Sequence, residues 1–196
     1  MDKRTDRRAG GDDKRAKILE AATTLFNRYG YRRTSIDLLA AEAQVAKPTV
    51  YAYFEDKEAI FRAVVEHVAA EMQRAAEAAI AADGPLEERL AGALAAKHTR
   101  YWELVHASPH AKELVESQDA VAAAVVERAD RAFVRLVVRA LEESEDVDLA
   151  KAGLGAQAAA ALLVRATAGA GYDATSAAGH RRALGEIVRI MVRGMR

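Results

Sequence analysis

The sequence predicts an all-α protein in which a small N-terminal helical domain is linked by a long helix to a larger helical region. Alanine and charged helix-forming residues dominate its 196 residues, and proline occurs three times. No segment alternates apolar and polar residues with the two-residue period of a strand. A break at Asp83-Gly84-Pro85 separates the two parts.

Composition excludes several classes of protein. Because the chain has no cysteine, it has no disulfides or thiolate metal sites. Its start has no apolar signal region and its apolar runs are too short to cross a bilayer, so we expect a soluble, cytoplasmic protein without a membrane partner. The net charge of +0 argues against nucleic-acid binding, but the first fifty residues carry eleven Lys or Arg against seven Asp or Glu.

The first predicted helix runs from Asp13 to Gly30, after a charged, glycine-containing segment, residues 1–13, that is predicted to be a mobile arm. Apolar residues recur in this helix at three- and four-residue spacing, which predicts one buried face. They are Ile18, Ala21, Ala22, Leu25, Phe26 and Tyr29.

Two short helices follow around a tight turn. Thr34 is the predicted N-cap of the second helix, with Asp37 three positions on, and this helix stops near Gln44. The third helix begins near Lys47 with Pro48 in its first turn, where a missing N–H is tolerated. Such a pair is how a helix-turn-helix presents its second helix to the major groove of DNA.

A fourth helix, capped by Asp56, runs to the break and joins a domain at 14–62 to a second domain at 63–196. The second domain is predicted to be helical throughout. Its helices are expected at about Leu86 to Ala107, Pro109 to Ser117, Ala120 to Glu143, Asp148 to Asp173 and Ala177 to Met195.

The outward positions of the third helix carry groups that suit DNA. Lys47 can reach guanine or phosphate, and Thr49 offers a hydroxyl and a methyl group to base edges. Tyr51 and Tyr53 can hydrogen-bond to phosphates. Each of these residues alone is also compatible with an ordinary solvated helix surface, so the prediction depends on the joint pattern.

That pattern resembles the N-terminal domain of the tetracycline-repressor (TetR/AcrR) family of regulators. The resemblance covers roughly residues 14–62 and is carried by Arg15, Ile18-Leu19, Ala21-Ala22, Leu25-Phe26, Gly30-Tyr31, Thr34-Ser35-Ile36, Leu39-Ala40, Ala43, Val45, Pro48-Thr49-Val50-Tyr51, Tyr53-Phe54 and Asp56-Lys57-Glu58. The resemblance implies DNA contacts at Thr34, Ser35, Asp37, Lys47, Pro48, Thr49, Tyr51, Tyr53 and Lys57.

Two positions depart from the family pattern. Gln44 stands where the family usually has glycine in the turn, and a positive φ there costs glutamine on the order of 1 kcal/mol. Ala46 stands where serine or threonine usually caps the third helix, and losing such a cap costs about 1 kcal/mol. We expect both departures to leave the fold intact.

The resemblance also implies a ligand-responsive repressor that binds a palindromic operator in double-stranded DNA as a homodimer and is released by a small-molecule effector. The alternative is a helical small-molecule-binding or interaction protein that does not use its helix-turn-helix for DNA. The candidate dimer stripes on the last two helices, which could also pack only within their own chain, are Leu162, Ala166, Gly169, Leu184, Ile187, Val188 and Met191.

Bulky and polar rings concentrate in one part of the alanine-rich second domain and predict the effector pocket. The candidates are His98, Tyr101, Trp102, His106, Phe133 and Arg165, each of which could instead be a core or surface residue. A metal site at His106 and His110 is disfavoured because Pro109 interrupts the helix between them. No catalytic motif is present, so we expect neither an enzyme nor a bound metal or cofactor.

Overall fold

The computed structural model describes the backbone of residues 3–106 and 120–196, and the side chains of residues 13–104, 106 and 122–196. All regular structure in these ranges is helical, which confirms the predicted fold class. The helices are α1 (Lys3–Tyr29), α2 (Ile36–Glu42), α3 (Lys47–Tyr53), α4 (Lys57–Ala81), α5 (Leu86–His106), α6 (Ala120–Glu142), α7 (Ala156–Ala168), a short 3-10 helix (Gly169–Gly171) and α8 (Ala177–Arg193). The predicted helix from Pro109 to Ser117 lies outside the described residues.

The chain divides into two compact units, and α4 contributes to both. The first unit comprises residues 1–68 and 104–125, and the second comprises residues 69–103 and 126–196. The sequence placed the boundary at 62/63 and assigned the whole remainder to one C-terminal domain. Ala122 is instead buried among the side chains of the first unit, which explains why its segment groups there.

The core of the first unit is formed by the inner faces of α1 to α4. Phe26 is 1% exposed, and its ring centroid lies 5.9 Å from that of Phe61. Burying a phenylalanine side chain of this kind stabilises a fold by about 1.5–3 kcal/mol. The other fully or nearly fully buried side chains are Ile18, Ala22, Leu25, Leu39, Ala40, Val50, Phe54, Ile60 and Val64.

Helix α1 begins at Lys3, ten residues before the predicted start at Asp13. The segment predicted to be a mobile arm therefore has a helical backbone. A helix already formed by the packed residues that follow can be extended at little free-energy cost through Lys, Arg and Ala, which have high helix propensity. Gly30, with φ of 83°, ends this helix as predicted.

The second unit is built around an apolar core shared by α4 to α8. The completely buried leucines Leu86, Leu90 and Leu94 repeat every four residues along α5. On α8, Leu184 and Val188 follow the same spacing and are also 0% exposed. The remaining members of this core include Ala76, Phe133, Val137, Leu141, Ala159, Ala160, Leu163 and Val192.

One helix of this unit is shorter than predicted. The sequence suggested a continuous helix from Asp148 to Asp173, but the helical residues are Ala156–Ala168, followed by the 3-10 turn. Gly153 has a φ of 67°, which breaks the helical path, and Gly155 is the N-cap of α7. The loop was not predicted, because the alanine-rich sequence favours helix and helix propensity alone does not locate such a break.

None of the helices in the described part of the chain is long and apolar enough to span a membrane.

Candidate nucleic-acid interface

The N-terminus of α2 is capped by Ser35, whose Oγ accepts a hydrogen bond from the N–H of Leu38 at 3.2 Å. The sequence assigned this role to Thr34, and this assignment was wrong by one residue. Thr34 is 1% exposed, and its hydroxyl donates to the carbonyl of Gly30 at 2.9 Å. Its side chain is therefore inside the domain, whereas Ser35 is on the surface.

The turn between α2 and α3 is closed by backbone hydrogen bonds around Gln44. Gln44 has a φ of 54°, the left-handed conformation expected from its place in the turn. Its N–H donates to the carbonyl of Ala41 at 3.1 Å, and the N–H of Val45 donates to that of Ala40 at 2.9 Å. These two bonds form a Schellman motif, which satisfies the last carbonyls of α2 and sets the direction in which α3 starts.

Helix α3 presents one face to solvent and one to the core. Val50 is 0% exposed and Phe54 is 6% exposed, so they anchor the helix. Lys47, Pro48 and Tyr51 are exposed, Tyr51 to 50%.

Two of the predicted DNA-contacting residues on α3 are less accessible. Thr49 is half-buried, and Tyr53 is half-buried and packs against the core of the first unit. Ala46, the N-cap, makes no side-chain hydrogen bond, as its alanine side chain predicts. The exposed polar surface of α3 is therefore centred on Lys47 and Tyr51, with Thr49 at its inner edge.

Lys57 has a different environment from the one predicted. Its ammonium donates to the carbonyls of Tyr31 at 3.0 Å and Thr34 at 3.1 Å, and it lies 4.5 Å from the centroid of the Tyr31 ring. Burial lowers the pKa of Lys57 from its usual value. This geometry ties Lys57 to the loop before α2, and its predicted contact with DNA stays a prediction.

An ion pair joins the two short helices. The Nζ of Lys47 lies 2.9 Å from one carboxylate oxygen of Asp37 and 3.1 Å from the other. Both side chains are well exposed, at 48% and 71%. The hydrogen bond to Asp37 and its negative charge raise the pKa of Lys47. Both residues were predicted to face DNA, but the pairing between them was not predicted.

Two basic residues beside this surface were missed by the sequence reasoning. Arg32 and Arg33 are exposed in the loop that leads to Ser35. Two adjacent arginines directly ahead of a capped helix were the available signal, because basic side chains near a phosphate contact add to binding. The exposed surface thus combines Arg32, Arg33 and Ser35 of this loop with the outer side of α3.

The six predicted effector residues differ in how far they are exposed. Phe133 is 3% exposed and belongs to the core of the second unit, whereas Tyr101 is 48% exposed. Arg165 and His106 are also exposed. Arg165 is exposed because of its position on the helix, where it points away from the buried stripe of α7 that contains Leu163.

His98 and Trp102 are the two predicted effector residues that lie partly inside the unit. Trp102 packs against His180, with 5.9 Å between ring centroids, and His180 Nδ1 lies 2.9 Å from the Thr99 hydroxyl. Burial, with repulsion from Lys97 and His180, lowers the pKa of His98 to about 4. Both side chains are only partly buried, and their role in effector binding stays a prediction.

A groove of about 350 Å³ lies elsewhere in the second unit. None of the predicted effector residues lines it. Its apolar part is formed by Met72, Ala75, Gly92, Ala95 and Ala96, and its polar part by Glu71, Thr99, Arg100, Glu103 and Arg181. Glu103 lies between the two arginines, 3.8 Å from Arg100 and 3.4 Å from Arg181. Among the described residues, no group of three metal-binding side chains comes together.

The predicted dimer stripes are only partly available for contact with another molecule. Leu184 and Val188 are completely buried in the core of their own chain, which rules them out as interface residues. Ile187 and Met191 are half-buried. Leu162 and Ala166 are exposed on α7 and Gly169 is exposed directly after it, and Ile190, which was not predicted, is 72% exposed on α8.

The arrangement of α2, the Gln44 turn and α3 defines a helix-turn-helix protein. Residues 18–64 match the family model described as bacterial regulatory proteins of the tetR family. This match confirms, for residues 18–64, the resemblance inferred from the sequence.

Curated relatives match shorter parts of the chain. An HTH-type transcriptional regulator of Bacillus subtilis, YhgD, is 38% identical over 82 residues, which are 42% of this chain and 43% of the relative. The HTH-type transcriptional regulator EthR of Mycolicibacterium smegmatis is 36% identical over 63 residues, which are 32% of this chain and 29% of EthR. The alignments thus span less than half of either relative.

Solved structures extend the likeness over nearly the whole chain. A transcriptional regulator from Cytophaga hutchinsonii has a TM-score of 0.75 at 17% identity, with 91% of this chain and 96% of that chain covered. A structure from Mesorhizobium loti, named as a TetR-family transcriptional regulator, has a TM-score of 0.67 at 20% identity, with 93% of this chain and 96% of that chain covered. At such identities the likeness establishes the fold, including the helical C-terminal region.

Proposed function

We propose that this protein is a transcriptional regulator that binds operator DNA through the first unit. The single observation that carries the proposal is the surface formed by the exposed Ser35, Lys47 and Tyr51 with the half-buried Thr49, on a helix-turn-helix that matches the tetR family model. A hydroxyl at the start of α2 and an ammonium at the start of α3 suit phosphate, and Thr49 and Tyr51 follow along the outward side of α3.

The test begins with the duplexes that the purified protein selects from a random-sequence pool. We expect one enriched, two-fold symmetric site, bound with an affinity that falls steeply as salt rises. Replacing Lys47, Thr49 and Tyr51 together by alanine should weaken binding to that site at least about thirtyfold, since each specific contact contributes about 1–3 kcal/mol.

The chain offers a matched control on α1. Lys17, Thr24 and Tyr29 are exposed residues of the same three types, so their joint replacement by alanine removes the same side chains and the same charge. This control should keep most of the affinity. Equal losses in the two triple variants, or no enriched duplex for the wild type, would refute the proposed DNA-binding surface.

Symmetric operators require two copies of the reading helix, so we propose that the protein binds as a homodimer. The support is an exposed apolar face on the second unit, with Ile190 72% exposed and Leu162 38% exposed. Ile190→Glu should convert the dimer to a monomer, measured by sedimentation. Ala178→Glu is the control, because Ala178 is exposed in the first turn of α8, about three turns before Ile190 and about 120° around the helix from it.

We further propose that the groove lined by Met72, Ala95, Ala96 and Arg181 receives the small-molecule effector and that its occupancy lowers operator affinity, which makes the protein a repressor. Its apolar wall and charged rim have the mixed character of ligand sites. Helix α4 carries groove residues in its second half and Lys57 in its first, so it supplies a covalent path between the two sites.

A compound library screened by thermal shift would find effector candidates. A compound that raises the melting temperature and weakens binding to the selected duplex should lose both effects in Ala96→Phe, which fills the groove. Ala178→Phe, outside the groove, should keep both effects. A ligand that still acts on Ala96→Phe would place the effector site elsewhere.

A further inference from the structure

Lys47 is the cationic side chain of the proposed reading helix, yet it is held by a carboxylate of the preceding helix. Both oxygens of Asp37 lie within hydrogen-bonding distance of its Nζ, at 2.9 and 3.1 Å. Asp37 sits in the first turn of α2 and Lys47 in the first turn of α3. The pair therefore bridges the two helices at the surface that would meet DNA.

This geometry has two opposite consequences for binding. An ammonium has three N–H donors, so the hydrogen bond to Asp37 leaves others that can reach a base or phosphate from a defined position. The carboxylate also brings a negative charge against a negatively charged duplex. Positioning of the Lys47 ammonium favours the one placement on DNA in which a remaining donor meets an acceptor. The negative charge of Asp37 weakens binding to every duplex alike.

We propose that Asp37 is a specificity-determining positioning residue that acts through Lys47, orienting its ammonium for the operator and lowering affinity for other DNA. This inference rests on the proposed function, since it presupposes that α3 reads a duplex. Without Asp37, Lys47 becomes a flexible cation that can pair with any phosphate it reaches. Non-operator affinity then rises more than operator affinity, and discrimination falls.

The test compares two probes, the duplex selected by the wild-type protein and a scrambled duplex of the same length. In Asp37→Asn, affinity for the scrambled duplex should rise about fivefold, which is about 1 kcal/mol and typical of an exposed charge pair, while affinity for the selected duplex changes less. Glu42→Gln removes the same charge from an exposed position on the same helix, so it is the matched control. It should leave the ratio of the two affinities unchanged.

A double-mutant cycle with Lys47→Met separates the two effects. If Asp37 acts through Lys47, Asp37→Asn should not change the affinity ratio in the Lys47→Met background, and Asp37→Glu should retain part of the discrimination. An equal effect of Asp37→Asn in both backgrounds would overturn the inference, because Asp37 would then act by direct repulsion alone. If the wild type selects no duplex, the proposed function itself fails. If it selects one and Asp37→Asn has the same affinity ratio as Glu42→Gln, only this inference fails.

Discussion

Gly171 lies directly against Trp102, so closely that a Cβ atom on Gly171 would come within 2.7 Å of Cδ1 of the indole ring. The same Cβ would also come within 2.9 Å of Cδ2 of His180. The 3-10 turn after α7 can therefore approach the rings on α5 and α8 only because it carries a glycine at this position. The contact links three helices of the second unit.

Gly171→Ala should destabilise the protein by about 1–3 kcal/mol, because the added methyl group forces the indole or the backbone to move. Gly169→Ala is the control, since a Cβ on Gly169 would meet nothing within 4 Å in the same turn. Its effect should stay within about 0.5 kcal/mol. Urea unfolding of both variants measures the difference, and equal stabilities would contradict the close packing.

Gln44→Gly should stabilise the first unit by about 1 kcal/mol, because glycine adopts the left-handed conformation of this position without a Cβ penalty. Gln73→Gly, inside α4, is the control, and it should lower stability by about 1 kcal/mol because glycine is unfavourable in a helix interior. The measurement is the melting temperature of each variant by circular dichroism. A destabilised Gln44→Gly protein would show that the glutamine side chain stabilises the turn in another way.

Thr34 and Ser35 are adjacent but have separable roles. Thr34→Val should lower stability by about 1 kcal/mol through loss of its buried hydrogen bond, while operator affinity of the folded protein is kept. Ser35→Ala should cost about 1 kcal/mol as a lost N-cap and should also weaken DNA binding. Unfolding curves, and binding isotherms at a temperature where both variants are folded, distinguish these outcomes. Equal losses of operator affinity in Thr34→Val and Ser35→Ala would assign Thr34 a role at the surface.

His98 should make stability depend on pH. Burial, first, and nearby positive charge lower the pKa of His98 in the folded protein to about 4, below its ordinary value of 6.5. The unfolded chain therefore takes up a proton at a higher pH than the folded protein does. The free energy of unfolding should fall as pH drops through 6.5 and level off below about 4, with a total loss of up to about 3 kcal/mol.

The measurement is the free energy of unfolding from urea titrations between pH 8 and pH 4. His98→Gln should reduce this pH dependence, whereas His106→Gln, at an exposed position, should retain it. A wild-type profile that is unchanged in His98→Gln would show that another group causes the pH dependence.

Local sequence signals predicted the helix-turn-helix well because they act over a few residues. The helix end at Gly30 was predicted from neighbours in the chain, whereas the expectations for Gln44 and Ala46 came from the resemblance to the family pattern. The cap at Asp56 was also correct, since its carboxylate accepts from the N–H of Ala59 at 2.7 Å. The choice between Thr34 and Ser35 failed because either hydroxyl residue can precede a helix, and only packing against Gly30 decided which one turned inward.

The amino-acid sequence by itself determined the helical class, the turn chemistry and the apolar faces of the helices, because these follow from short-range periodicity and conformational preference. Only the tertiary structure decided what each face meets, since Leu184 lies in the core of its own chain while Ile190 is exposed. It also decided that Lys57 hydrogen-bonds to a loop and that the groove is lined by residues other than the predicted rings. The physical reason is that an apolar stripe specifies burial without specifying a partner, and a charged side chain pairs with whichever group folding brings within reach.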